Sequence, residues 1–175
     1  MIFVITGPPG AGKSTVAYAL SDRFDLAIVI PVDQMREWVT SGLADSFDWT
    51  NDTEKQFDLA EQSACEMAIR YHDAGFTVVV DHCRNLARWD TVIETNLKHQ
   101  PVLRVALYPS LARNLLRNAE RTNKKFDSAK LEPTIRGMHN AHPGACPGWI
   151  VLDNGPLTVA ETVEAVLAQR DGQGT

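Results

Sequence analysis

Ile2-Phe-Val-Ile-Thr6-Gly7-Pro8-Pro9-Gly10-Ala11-Gly12-Lys13-Ser14-Thr15 is the stretch on which the fold turns. From Gly7 to Ser14 it matches G-x-x-x-x-G-K-[ST] at every fixed position. It also stands in the context that pattern needs, after an apolar run and at the head of a helical pattern with Val16, Ala17 and Leu20 on its inner face. Glycines let the backbone curl until several N–H groups converge on one anion. The helix that follows adds the positive end of its dipole. Lys13 is expected to reach the β- and γ-phosphates of a nucleotide, and the Ser14 hydroxyl to ligate Mg²⁺. Gly7, Pro8, Pro9, Gly10, Ala11, Gly12 and Thr15 complete the expected nucleotide cradle.

Working outward, five short apolar runs rich in β-branched residues stand out: Ile2–Thr6, Leu26–Val32, Phe76–Val80, Val102–Leu107 and Trp149–Leu152. They are near-continuously apolar, the pattern of strands buried on both faces. Helical patterns separate them. Phe57, Ala60, Ala64, Met67 and Tyr71 mark one helix, with Thr53 and Gln56 read as its capping box and Gly75 as its stop. Trp89, Ile93 and Leu97 mark another. Thr158 with Glu161 opens the last, which carries Val159, Val163 and Val166. Strands alternating with helices predict an α/β fold, a parallel sheet sandwiched between two helical layers. One domain over residues 1–170 is expected, with 171–175 as a disordered tail.

A chain of 175 residues, 44% hydrophobic and 22% charged, is long enough for one core and ordinary for a globular protein. No apolar run approaches the roughly 18 residues of a membrane span. Ile2–Ile5 is too short for a signal peptide, so a cytoplasmic location is expected. Cys65, Cys83 and Cys146 are odd in number, far apart and without a C-x-x-C pair, which argues against zinc or a disulfide framework. The net charge is −5, yet residues 113–130 carry six basic residues against Glu120 and Asp127. A basic island in an acidic chain points to a local anionic ligand, not to a nucleic-acid surface.

Ligands of open parallel sheets bind beyond the carboxyl ends of the strands. Asp33 and Asp81 stand at two such ends. Asp81 has the form of a metal-side acid after a hydrophobic strand and is expected to hold Mg²⁺. Asp33 is then available to take the proton of an attacking hydroxyl, with Arg36 three residues on to assist. Either carboxylate could instead cap a helix. His82, alone beside Asp81, reads as structural. In the basic segment Ser110 caps a helix in which Leu111 and Leu115 are expected to face inward. Arg113, Arg117 and Arg121, spaced four apart, form a stripe suited to a phosphoryl group in transfer.

With these residues in view, the chain resembles P-loop kinases of the adenylate-kinase-like group, most nearly the phage polynucleotide kinase domain and the chloramphenicol phosphotransferase type. Asp33-Gln-Met-Arg36 is similar to the D-x-x-R element of the polynucleotide kinases, whose aspartate is the general base and whose arginine assists at the acceptor phosphate. Leu116-Arg117-Asn-Ala-Glu-Arg121 resembles the lid helix, whose arginines contact ATP phosphates. Gly155-Pro156 falls where this group seats adenine. The resemblance implies strand order 2-3-1-4-5, a helical lid over about 113–130, and ATP with Mg²⁺. Asp81-His-Cys-Arg84-Asn85 departs from the D-x-N form of the group, which leaves Arg84 and Asn85 without a role.

The function read from these signals is transfer of the γ-phosphate of ATP to a hydroxyl of a small molecule, nucleoside or nucleotide. A 5′-hydroxyl polynucleotide kinase is one alternative. A nucleotide-dependent ATPase or switch acting on a protein is another, although the chain lacks the N-K-x-D and T-K-x-D guanine-reading motifs. Residues 37–61 hold seven acids against Lys55, which disfavours a long nucleic acid. The same stretch holds Trp38, Phe47, Trp49 and Phe57, candidates for the wall of an acceptor pocket. The sequence leaves the oligomeric state open.

Overall fold

The computed structural model describes residues 1–120, 127–142, 144 and 146–172. The chain runs β1 (Ile2–Thr6), α1 (Lys13–Ser21), β2 (Ala27–Pro31), α2 (Val32–Arg36), α3 (Asn51–Asp73), β3 (Thr77–Asp81) and α4 (Leu86–Asn96). It continues with β4 (Val102–Leu107), α5 (Leu111–Ala119), a 3-10 turn (Ser128–Leu131), α6 (Glu132–Asn140), β5 (Ile150–Leu152) and α7 (Val159–Gly172). All strand pairs are parallel and the order is β2-β3-β1-β4-β5, as the resemblance implied.

The apolar runs become strands because both faces of the sheet are covered. Along β1, Ile2 and Val4 pack with α3 and α4, including Ala64, Ala68, Trp89 and Ile93. Phe3 and Ile5 point the other way, onto Val16, Ala17 and Leu20 of α1 and Val163 and Val166 of α7. A strand buried on both sides cannot alternate polar with apolar, which is why these runs read as continuous. Each buried aliphatic side chain contributes about 1.5–3 kcal/mol. Of the valines expected in α7, Val159, the first residue of the helix, is half-exposed. Its helix opens on the expected reciprocal cap between Thr158 and Glu161.

Two local readings are corrected. The capping box of α3 is Thr50 with Thr53, and the helix starts at Asn51. Thr53 takes the third helical position and also donates to the Asp45 carbonyl at 2.8 Å, so Gln56 is released for another task. Its amide donates to the Gly42 carbonyl and accepts from the Ala44 N–H, tying the loop between α2 and α3 to the helix. In α5, Ser110 caps as expected, but Leu111 and Leu115 are only half-buried. The buried residues are Asn114 and Asn118, because this helix faces the glycine loop and the 3-10 turn instead of the apolar core.

No helix among the described residues is long and apolar enough to cross a membrane. Burial with the neighbouring Glu61 and Glu66 pushes the Cys65 thiol up to about 12, which makes it an unreactive packing group. Registers of Ile5 and Pro31 with Asp81 bring the carboxyl ends of β1, β2 and β3 level. The glycine loop, Asp33 and Asp81 therefore emerge at one edge of the sheet.

Candidate active site

The glycine loop closes tightly against β4. A Cβ on Gly7 would meet the Leu107 carbonyl oxygen at 2.2 Å, and Gly12, at φ +93°, turns the chain into α1. Two asparagines hold the loop from outside. Asn114 of α5 donates to the Pro9 carbonyl at 2.6 Å, and Asn154, after β5, donates to the Ala11 carbonyl at 2.9 Å. His139 of α6 in turn places its Nε2 3.1 Å from the side-chain oxygen of Asn114, Oδ1. Sequence reading missed both asparagines. Carbonyls that a curled loop turns outward need donors, and buried polar side chains on the flanking elements supply them.

Lys13 is almost fully buried, and its ammonium donates to the Pro8 carbonyl at 3.1 Å. Asp81 is buried at the end of β3. Burial raises its pKa above the ordinary carboxylate range, while the Lys13 charge and a hydrogen bond from the Ser14 hydroxyl work against that rise. A carboxylate and a hydroxyl together beside a phosphate cradle are a fitting donor set for Mg²⁺, which takes few protein oxygens and draws the rest from water and phosphate.

A cavity of about 200 Å³ opens from this floor. Lys13 and Ser14 line it on one side, Asp33, Arg36 and Glu37 on the next, and Phe47, Trp49 and Phe57 form a wall. Trp38, also expected in that wall, lies 65% exposed outside it. The aromatic faces are largely engaged. Trp49 stacks on Phe57 with centroids 5.0 Å apart, Arg84 lies 4.9 Å from the Trp49 centroid, and Arg36 lies 4.7 Å from that of Phe57. Arg36 also donates to the Ala44 carbonyl at 2.8 Å. Its guanidinium thus clasps the α2–α3 loop while the residue lines the cavity beside Asp33.

The acids of residues 37–61 are less exposed to the cavity than their number suggests. Glu54 and Glu61 pair with Arg84 at 2.9 Å, and Asp58 pairs with Arg88. These arginines lead into and start α4, capped by Asn85, so Arg84 and Asn85 acquire structural partners the sequence left unassigned.

His82, expected to be structural and alone, is not alone. It is wholly buried and has partners on both ring nitrogens: Nδ1 is 3.1 Å from Asp33 Oδ1 and Nε2 is 2.9 Å from Glu61 Oε1. Burial by itself opposes the charged imidazole, but bonds to the two carboxylates outweigh it and raise the pKa above the usual histidine value. Glu61 was counted in the sequence only as one acid among seven. Its position four residues after Phe57, on the apolar face of α3, was the available signal, since a carboxylate there requires a partner.

A second cavity, of about 250 Å³, lies on the other side of the loop and is lined by Gly12, Thr15, Val16, Arg117, Asn154 and Leu157, among others. Arg117 donates to the carbonyls of Asn154 and Gly155 at 3.0 and 3.4 Å. It thus stands on this side of the loop, away from Asp33. Pro156, the expected adenine contact, is exposed and does not line the cavity, where Asn154 and Leu157 stand instead. Arg113 is exposed on α5. Arg121 and the middle of the expected lid fall outside the described residues, as do residues 173–175 of the expected tail.

Residues 1–142 match the family model described as chloramphenicol phosphotransferase-like protein. The chain belongs to this family. No curated protein matches it. Among solved structures, a sugar kinase from Janibacter sp. HTCC2649 superposes with a TM-score of 0.70 at 17% identity, over 97% of this chain and 94% of that one. The tunicamycin resistance protein of Deinococcus radiodurans gives 0.70 at 18%, over 96% and 94%. Shikimate kinase from Acinetobacter baumannii gives 0.60 at 16%, over 98% and 93%. The fold is that of the P-loop kinases, and membership of the chloramphenicol phosphotransferase-like family places the chain among phosphotransferases.

Proposed function

We propose that the protein transfers the γ-phosphate of ATP to a hydroxyl group of a small molecule held in the 200 Å³ cavity. One observation carries this reading: Lys13 and Ser14 line the same cavity as Asp33, so a bound triphosphate and an attacking hydroxyl would meet there. Lys13 would leave the Pro8 carbonyl for the β- and γ-phosphates. Asp33 accepts the proton of the attacking hydroxyl as its oxygen bonds to the γ-phosphorus and the bond to the β-phosphate breaks, releasing ADP. Ser14 and Asp81 would hold Mg²⁺, which neutralises charge on the phosphates. The nucleotide base would occupy the second cavity beside Arg117 and Asn154. Arg121, with the segment 113–130, would close over the phosphates as a lid and keep water out. Hydrogen exchange across that segment with and without a non-hydrolysable ATP analogue tests closure, which unchanged protection would exclude.

The names of the family and of the similar structures, with their sugar, shikimate, tunicamycin and chloramphenicol, favour a small acceptor. So do the cavity's volume of about 200 Å³ and Glu37 at its side, which together oppose a polyanion. The decisive assay is ADP release from Mg·ATP with a panel of acceptors: sugars, nucleosides, ring-bearing alcohols, aminated alcohols and a 5′-hydroxyl oligonucleotide. Turnover on one small-molecule class supports the reading. Turnover on the oligonucleotide alone, or equal ADP release with and without any acceptor, overturns it.

A further inference from the structure

The buried pair of Glu61 and His82 calls for an explanation that stability does not provide. Both side chains are wholly inaccessible to solvent. Removing two ionisable groups from water costs several kcal/mol each, and well-packed apolar residues of the same volume commonly serve a fold as well or better. The ring of His82 is immobilised on every side. Phe57 and Trp89 flank it with centroids 6.0 and 5.0 Å away, and its own backbone N–H donates to the Ile5 carbonyl at 3.1 Å. Glu61 is itself held by Arg84, whose Nε lies 2.9 Å from the same Oε1 that meets His82.

At the other end of this chain the situation reverses. Asp33 sits on a helix of only five residues, and its side chain is 46% exposed at the cavity. Its Oδ1 lies 3.1 Å from Nδ1 of a ring that cannot move, while the residue itself lines the cavity. An acceptor hydroxyl then meets a carboxylate whose orientation is set before binding, the condition under which positioning accelerates a reaction.

We propose that His82 is a positioning residue: it fixes the Asp33 carboxylate in the orientation that receives the acceptor proton, and Glu61 with Arg84 fixes His82. The proposal rests on the phosphotransfer reading above and adds to it residues that no sequence motif marks. Arg84, Glu61, His82 and Asp33 form one continuous line of contacts from the aromatic wall of the cavity to its base, because Arg84 also lies over Trp49.

The two ring nitrogens have separate isosteres, and these separate function from packing. The amide nitrogen of asparagine falls near the Nδ1 position and that of glutamine near Nε2. His82→Asn therefore keeps a donor to Asp33 and takes the ring's donor from the buried Glu61, whereas His82→Gln keeps a donor to Glu61 and removes the ring's bond to Asp33. The two variants should reverse their order between assays. In thermal unfolding of the full chain, His82→Gln should be the more stable. In turnover with the acceptor found by the screen, His82→Asn should stay within about threefold of wild type, whereas His82→Gln should fall about 10–100-fold, with the dissociation constant of ATP unchanged in both. A purely structural role predicts one order in both assays, with glutamine ahead, or equal loss in both variants, and either result overturns the proposal while wild-type activity leaves the phosphotransfer reading intact. Wild-type protein that releases no ADP to any acceptor overturns that reading, and the proposal falls with it.

Discussion

The proposed donor and acceptor sides of the site are built by different means. The donor side is backbone: a glycine loop whose shape is set by Gly7 against Leu107 and whose carbonyls are held by Asn114 and Asn154. The acceptor side is side chain: Arg36, Phe57, Trp49 and Arg84 stacked upon one another, with Glu61, His82 and Asp33 running behind them. A backbone cradle reads phosphate and little else, so a single local motif suffices to specify it. A wall of side chains drawn from residues 33 to 88 can be reshaped one residue at a time. That is the arrangement expected where a family keeps its donor and changes its acceptor.

The comparison can be broken from the donor side first. Lys13→Ala should cost on the order of 10²–10³-fold in turnover at saturating ATP, since one well-placed charge in a closed site contributes several kcal/mol to the transition state. A near-wild-type rate would remove Lys13 from the phosphates. Asn154→Ala should have a smaller and differently placed effect. It leaves the Ala11 carbonyl without its 2.9 Å donor, which should cost about 1–3 kcal/mol of stability and weaken ATP binding while the Michaelis constant of the acceptor holds. Equal weakening for both substrates would mean that the loop is not a separate donor module. Thr50→Ala on the acceptor side should be the mildest, about 1 kcal/mol by thermal or urea unfolding, because it removes the cap that anchors α3. Here the acceptor's Michaelis constant should rise and the ATP affinity should not, because α3 carries Phe57 and the ties to the α2–α3 loop. A change in ATP affinity alone would reverse the assignment of the two sides.

The same division explains what could be read from the sequence. The glycine loop and the five strands depend on neighbours within a few residues, and the strand runs were found to within a residue or two at each end. Asp33, Asp81 and Lys13 can be singled out in the sequence because strand ends and the loop motif mark them, and the sheet register brings the ends of β1, β2 and β3 level. The rest depends on contacts across long separations. His82 meets residues 49 and 21 positions away, so nothing beside it in sequence reveals its partners. The cap of α3 was misplaced by three residues because Thr50 and Thr53 are both competent, and the choice falls to Thr53's second bond with Asp45. The inward face of α5 was misread because leucine is the usual buried residue, whereas this helix packs against outward carbonyls and needs asparagines.

Asp33 is where the two sides meet, and Asp33→Asn tests the account most directly. ATP affinity and turnover on the identified acceptor are measured on the same preparation. A base that acts on the acceptor predicts an ATP dissociation constant within about twofold of wild type and a turnover reduced on the order of 10²–10⁴-fold. Full turnover, or an affinity that falls in step with the rate, would contradict it and assign Asp33 to the metal or to the fold.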